Sequence, residues 1–433
     1  MHIPTTGSII RGKAAYAVSV PLGPMWYESG NPADVVFRCQ IEFDTGSTSR
    51  PNHAGKFAAV DTHLLSITTM TREEDVDWRL RLEGMKGILR GAEMKHNELF
   101  KNFEFDGEKL CRMVTRGEIS FNFANGPELN AAALYPEKTV VVLRGMMEAI
   151  FKISARLVGR GAYPRIGNIP EQRWVPNYAL LFRAPSETLA SLEPFEFDAG
   201  RFPWLMSAER QALFMFISNT MFRFVVFHEL GHFFHEHGGA NSPEHVMDYD
   251  EMASASRIGD IDQQAKELLA DGYGFQRLLH FVRQHLLTPF PDPVRTLLAT
   301  HFASSDEDLA IFVSTIVYIY FQMTEAPGDR HREPETWSHP PAPFRLKAIL
   351  AISLEHGVLN IRPNAAPRVL QASILRSQAL ITTMLDQHAT DEWLGSVSGA
   401  MLDAHYERLL EAMPRWCTAN LDRWDPPSSA ESE

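Results

Sequence analysis

The chain has 433 residues, 45% of them hydrophobic, and a formal net charge of −13 at pH 7. Its length allows a large core and predicts two or three subregions. The acidic balance, without a Lys/Arg cluster, argues against a nucleic-acid partner. Cys39, Cys111 and Cys417 are far apart and odd in number, which indicates reduced thiols in a cytoplasmic protein. The longest largely apolar run, 309–323, is shorter than the ~20 residues of a membrane span and predicts a buried helix.

The first part of the chain, residues 1–115, is predicted to form an N-terminal α/β region. Short extended segments at 14–20 and 34–43 are separated by Gly, Pro and Ser, and helical spacing follows at 63–99. No motif there indicates chemistry.

A strand, a hairpin and a helix are predicted next. Residues 118–124 alternate in polarity, which is typical of a strand with one buried face. The segment 130–134 and the β-branched run 139–143 are predicted to pair as a hairpin that leads into a helix near Gly145. Small side chains would let an extended peptide add to this edge, although an ordinary alanine-rich hairpin is the alternative. The candidate substrate-binding strand consists of Asn130, Ala131, Ala132, Ala133 and Leu134.

An H-E-x-x-H motif spans residues 228–232. Thr220 to Phe234 contains no Pro and a single Gly, so a helix is predicted. His228 and His232 then lie one turn apart on one face and can bind one metal ion. Glu229 is placed to act as a general base toward a water on that ion. A chance match is the alternative, because the chain contains 17 histidines.

A third ligand is predicted on a second helix, 262–282. Glu267 and Asp271 are four residues apart there, and the residues between them are apolar. Glu267 would complete a two-histidine, one-carboxylate set, and Asp271 could accept the free ring N–H of a ligand histidine. A pair of solvated acids is the alternative, but unpaired carboxylates on an inward face would be costly.

Together, the N-A-x-A-L, H-E-x-x-H and E-x-x-A-D elements resemble the gluzincin metallopeptidases, in particular the CAAX prenyl protease family with its soluble and mitochondrial relatives. Residues 338–345 are similar to that family's H-P-x-x-x-x-R element. The resemblance implies a zincin-like domain that binds one Zn²⁺ per chain. It implies that His339 donates a hydrogen bond to the developing oxyanion and that Arg345 pairs with a site carboxylate. Independently of the resemblance, Tyr273 is a second candidate for stabilising the oxyanion. For 339–341 a plain loop before a helix is the alternative.

The chain departs from this family in several respects. An insert at about 150–206 precedes the H-E-x-x-H helix, and its extended stretch 173–185 is a second candidate for the substrate-binding strand. The membrane segments of the prenyl proteases are absent. The ImmA-type and phage-exclusion-type proteases have similar elements and remain alternatives. A metzincin is excluded because Gly238 stands where its third histidine belongs. His235 is interpreted as a capping or surface histidine.

The sequence thus predicts an α+β fold with a mostly helical C-terminal half. The predicted parts are the region 1–115, a zincin-like metallopeptidase domain at 116–360, and a helical region at 361–433 that ends in a disordered tail. The predicted function is zinc-dependent hydrolysis of peptide bonds in a protein or peptide substrate. A zinc-binding regulatory protein that works by partner binding, and a hydrolase of a non-peptide amide, remain alternatives. The loop 238–260 is interpreted as a solvated connection, with a lid as the alternative.

Overall fold

A computed structural model describes a defined part of the chain, all of it within the unit 59–433. The N-terminal region up to residue 97, the stretch 173–185, the loop 238–260 and the C-terminal tail lie outside the described residues. The predicted division into domains therefore stays a prediction. The described residues are 98–167, 188–189, 191–192, 195, 198–237, 261–287, 293–325, 334, 337, 339–355, 361, 365–385 and 400–417.

A three-stranded mixed sheet follows the first described helix, α1 (Glu98–Thr115). Its strands are β1 (Ser120–Ala124), β2 (Ala131–Leu134) and β3 (Thr139–Leu143). β3 is central and pairs in parallel with β1 and antiparallel with β2. The predicted hairpin is confirmed as β2 and β3, and its second strand leads directly into a helix that begins at Arg144. All five residues of β3 are buried, as expected for a central β-branched strand.

The rest of the described chain is helical, which confirms the predicted α+β class. A short 3₁₀ turn, Pro203–Met206, precedes α3. Ser207 caps α3 by accepting a hydrogen bond from the Arg210 backbone N–H, which satisfies one of the free donors of a helix start. The helices are α2 (Arg144–Gly159), α3 (Ala208–Phe234), α4 (Ile261–Leu287), α5 (Pro293–Phe302), α6 (Asp306–Thr324), α7 (Ala342–Glu355), α8 (Ala366–Leu385) and α9 (Ala400–Trp416).

Phenylalanines join the sheet to the helices on one side of the core. Phe103 of α1 packs edge-to-face on Phe151 of α2 and on Phe222 of α3, with centroid distances of 5.2 Å and 5.1 Å. Phe121 of β1 contacts Phe222 at 5.7 Å. Such edge-to-face pairs add to the free energy gained by burial alone. The packing fixes α3 against the sheet.

Helices α3 and α4 cross at very short backbone distance. A Cβ at Gly231 of α3 would lie 2.9 Å from the Ala270 Cα. A Cβ at Gly274 of α4 would lie 2.9 Å from the His228 backbone nitrogen and 3.1 Å from its Cα. Each helix therefore places a glycine where the other helix's backbone passes.

Among the described residues, α3 is long and apolar enough to cross a bilayer, by length and composition. Its most apolar window is 78% buried inside the protein. A core helix meets the same criteria, and α3 has the buried sequence expected of one.

Candidate metal centre

Three side chains from α3 and α4 converge at the crossing of these helices. His228 and His232 lie on one face of α3, and Glu267 faces them from α4. Their nitrogen and carboxylate oxygen atoms all lie within 4.8 Å of one another, and among the described residues no other group of three His, Cys, Asp or Glu does so. The three side chains are largely buried.

The spacing of these atoms fits a tetrahedral metal ion. Ligands ~2.0–2.1 Å from zinc at tetrahedral angles are about 3.3–3.4 Å apart. The Nε2 atoms of His228 and His232 are 3.3 Å apart. The Glu267 carboxylate lies 3.3 Å from Nε2 of His228 and 3.7 Å from Nε2 of His232. The group can therefore hold one metal ion with little rearrangement.

Asp271 and Arg345 fix the orientation of His228. Asp271 Oδ1 lies 2.9 Å from His228 Nδ1, which leaves Nε2 directed at the ligand group. Arg345 Nε and Nη2 donate to the two Asp271 oxygens at 2.7 Å and 2.6 Å. The Arg345 guanidinium also lies over the Phe321 ring, 3.9 Å from its centroid. This fork holds Asp271 rigidly, and metal sites use such supports to set ring tautomers.

His237 supports His232 in the same way, and the sequence did not indicate it. The two Nδ1 atoms are 2.9 Å apart. His237 is only 1% exposed, and Lys266 Nζ donates to its backbone carbonyl at 3.2 Å. If His232 binds a metal through Nε2, its Nδ1–H donates to His237. His235, by contrast, is the C-cap of α3, as its interpretation as a capping histidine expects.

Glu229 lies beside the ligand group without belonging to it. Its carboxylate is buried and accepts a hydrogen bond from the Ala133 backbone N–H of β2. Burial raises the pKa of Glu229 to about 7; the nearby His228 charge acts against this rise, and Glu267 adds to it. A carboxyl with this pKa can take up and release a proton near neutral pH.

Burial and neighbouring charges shift the pKa values of the three candidate ligands in different directions. Burial disfavours a charged His228, but hydrogen bonds with Asp271 and Glu267 outweigh it and raise the pKa of His228 to about 10. Burial would raise the pKa of Glu267, but the nearby His339 and His232 hold it well below its ordinary value. Burial lowers the pKa of His232 to about 3. Without metal, the group thus contains an anionic Glu267, a neutral His232 and a protonated His228, so a metal ion that binds His228 through Nε2 would displace its proton.

His339 reaches the same carboxylate from outside both helices. Its Nε2 lies 3.1 Å from Glu267 Oε2, and its side chain is 52% exposed. His339 therefore stands at the open side of the centre, between Glu267 and solvent. The structure thus brings His339 together with the predicted ligand Glu267, and α7, which follows it, supplies Arg345.

Tyr273 is placed differently from the other candidates. Residues two apart on an α-helix are about 200° apart around the axis, so Tyr273 faces away from Asp271. Its ring stacks on Phe234, with centroids 4.8 Å apart, and contacts His235. Both of these contacts lie at the C-terminal end of α3.

Tyr320 of α6 interacts electrostatically with the charged groups of the site, although its helix was predicted from the sequence only as a buried helix. Its ring packs edge-on against Phe224, with centroids 5.8 Å apart. Burial raises the pKa of Tyr320, Arg345 partly offsets this, and the charges of Glu229 and Asp271 raise it further. In the sequence, the available signal was the pair Tyr318 and Tyr320 in the largely apolar run 309–323.

No protein-family model matches the chain, and no curated protein or solved structure matches it. The assignment of a candidate metal centre therefore depends on the geometry of His228, His232 and Glu267.

The predicted substrate strand lies against this centre. Among the described residues, β2 is an edge strand, and the Leu143 N–H donates to the Asn130 carbonyl at 3.0 Å. Because antiparallel pairs alternate, Ala131 and Ala133 direct their N–H and C=O groups to the open edge. The Ala131 N–H bonds to Asn130 Oδ1 at 2.9 Å, and the Ala133 N–H bonds to Glu229. The open edge thus offers its carbonyl groups as free acceptors, whereas its N–H groups are already bonded to the side chains of Asn130 and Glu229.

Proposed function

We propose that this protein is a zinc-dependent endopeptidase. The observation that carries the proposal is the position of Glu229. It is a buried acid with a pKa near neutrality, it is not one of the three ligands, and it is hydrogen-bonded to an edge strand. A site that only binds metal has no need of such a group.

Zinc is the ion that the donor set suits best. Two imidazole nitrogens and one carboxylate oxygen, with a fourth position left open, are typical of catalytic zinc sites. When bound, zinc would supply Lewis acidity and lower the pKa of a coordinated water toward ~7. His228, His232 and Glu267 would hold it, while Asp271 and His237 would keep both rings in the tautomer that binds through Nε2.

The chain's own residues would then move the proton and orient the substrate. Glu229 would accept the proton from the attacking water and deliver it to the leaving amine. The Ala133 N–H would hold its carboxylate in place during both transfers. His339, half exposed at the open side, would donate a hydrogen bond to the carbonyl oxygen as negative charge develops there.

An extended peptide on β2 is the proposed substrate. The outward carbonyls of Ala131 and Ala133 can accept N–H groups of an added strand, next to Glu229. The resemblance of the three motifs to gluzincins, and to the CAAX prenyl protease family among them, supports this proposal. Placement among the soluble relatives, or with the ImmA-type or phage-exclusion-type proteases, stays open.

The test is a comparison of Glu229→Gln with the native protein and with Glu411→Gln, an exposed acid on α9. We expect native protein and Glu411→Gln to cleave casein or a peptide library in a chelator-sensitive manner. Glu229→Gln should keep one zinc per chain by metal analysis and lose turnover by about 10²–10⁴-fold. Undiminished cleavage by zinc-loaded Glu229→Gln would refute the assigned role.

The two other functions predict different outcomes. A regulatory protein that uses the site for partner binding would hold zinc and cleave no peptide, and Glu229→Gln would leave partner binding intact. A hydrolase of non-peptide amides would leave the peptide library untouched but lose its amide substrate's turnover in Glu229→Gln.

We further propose that the protein acts in the cytoplasm without a membrane span and without a nucleic-acid partner. Cys111 and Cys417, the two cysteines in the described part of the chain, are both free thiols, which suits a reducing compartment. The net charge of −13 disfavours binding to nucleic acid.

A further inference from the structure

His339 lies between Pro334 and the start of α7 at Ala342. The described residues between Pro334 and Pro341 form no α-helix or strand. A segment without its own hydrogen-bond ladder keeps a fixed position only through contacts with other elements. The distance of 3.1 Å from His339 to Glu267 therefore requires an anchor close to residue 339.

Gln264 provides that anchor. It lies on α4, three residues before Glu267, and is fully buried. Its side-chain Nε2 donates to the Pro334 carbonyl at 2.8 Å and to the Trp337 carbonyl at 3.1 Å. Both amide hydrogens are thus used on the segment that carries His339. The anchor and the metal ligand belong to one helix, so their relative position is rigid.

His405 of α9 sets the orientation of the Gln264 amide. Its Nε2 lies 2.7 Å from Gln264 Oε1, 141 residues away in sequence. Because both hydrogens of the Gln264 amide point to carbonyls, the His405 ring must donate its N–H here. The His405 ring also packs edge-on against Trp337, with centroids 5.5 Å apart. His405 is 2% exposed, so its bond to Gln264 is shielded from water.

Apolar packing holds α9 where this bond requires it. Leu409 of α9 is fully buried in a cluster with Leu268 of α4 and Phe344 of α7. At the end of α9, the Trp416 ring lies under Lys266 Nζ, 4.3 Å from the ring centroid. The C-terminal helix is therefore packed against the helix that supplies Glu267.

We propose that Gln264 and His405 form a clamp through which the C-terminal helix positions His339 over the metal centre. The assignment rests on the proposed function for its effect on catalysis, but the clamp itself is a statement about the position of His339. Gln264 and His405 are positioning residues, since neither touches the metal ligands' donor atoms. In this view α9 is part of the active-site framework.

The first test measures the position of His339 and needs no activity. Gln264→Met keeps the length of the side chain and removes its hydrogen bonds; His405→Phe removes the donor to Oε1. The control, Glu411→Gln, changes an exposed acid on α9 and leaves both the clamp and the packing of α9 intact. Each zinc-loaded full-length variant is treated with diethyl pyrocarbonate, and His339 modification is followed by peptide mass spectrometry.

We expect His339 to be modified about five- to tenfold faster in Gln264→Met and His405→Phe, the scale of losing a buried hydrogen bond. Native and Glu411→Gln proteins should react at equal rates. Equal rates in Gln264→Met and native protein, or an equal increase in Glu411→Gln, would overturn the clamp.

The second test separates the clamp from the proposed function. In a peptide-cleavage assay, Gln264→Met should lower kcat as much as His339→Ala does, with little change in KM. Combined with His339→Ala, it should cause no further loss; additive losses would overturn the proposal. If the native zinc protein cleaves nothing, the endopeptidase proposal fails and the modification rates still decide on the clamp.

Discussion

Gly274→Ala tests whether the α3–α4 crossing builds the metal centre. The added Cβ would lie 2.9 Å from the His228 nitrogen and 3.1 Å from its Cα, whereas ordinary contacts are about 3.5–4.0 Å. The backbone cannot rotate away as a side chain can, so α3 and α4 must separate by roughly 0.5–1 Å. Metal sites tolerate deviations of about 0.2 Å in their bond lengths. His228 and Glu267 would therefore no longer meet one ion properly.

Stability and metal affinity should respond very differently to this change. Overpacking costs about 1–3 kcal/mol, and replacing Gly by Ala within a helix returns about 1 kcal/mol. We expect the free energy of unfolding to fall by about 1 kcal/mol, and zinc affinity to fall about 10- to 100-fold, as when groups supporting a ligand are lost.

Chelator competition gives the affinity, and denaturant unfolding of the metal-free protein gives the stability. Gln276→Ala is the control, because it creates an alanine two residues further along α4 at a half-buried position. If Gly274→Ala binds zinc as tightly as Gln276→Ala and is more stable than native protein, the close crossing does not set the ligand geometry.

Two further substitutions address the groups behind the ligands. Asp271→Asn removes the carboxylate charge to which Arg345 donates two hydrogen bonds. Zinc affinity, measured by chelator competition, should fall about 10- to 100-fold. An unchanged affinity would refute the role of Asp271 in orienting His228. His237→Phe removes the Nδ1 partner of His232, so zinc affinity should fall about tenfold. The control, His301→Phe on α5, should bind zinc as tightly as native protein. Equal zinc affinities of native protein and both variants would show that His237 is not needed.

The ligand set could be predicted because its spacing is local. His228 and His232 are one helical turn apart, and Glu267 and Asp271 repeat that spacing on the next described helix. The hairpin beside them was also predictable, since polarity alternation and turn residues act over short distances. The α+β class follows from the same short-range patterns.

The supports of the site could not be predicted in the same way. His237 follows the end of α3, where Glu236 adopts a positive φ of 56° and turns the chain back toward His232. No periodic pattern describes such a turn.

Gln264 and His405 are 141 residues apart in the sequence. Nothing in a sequence shows which residue a buried amide or imidazole will bond to. Tertiary packing alone decides these contacts.

The glycine-mediated crossing of α3 and α4 also bears on how the protein behaves without its ion. A zinc finger unfolds on chelation because nothing else gathers its ligands. Here, Gly231 and Gly274 bring the ligand-bearing turns together, and an extensive apolar core surrounds them. Binding of the metal ion should therefore cost little conformational entropy. Loss of the ion should abolish the proposed activity while the protein stays folded and able to bind the ion again.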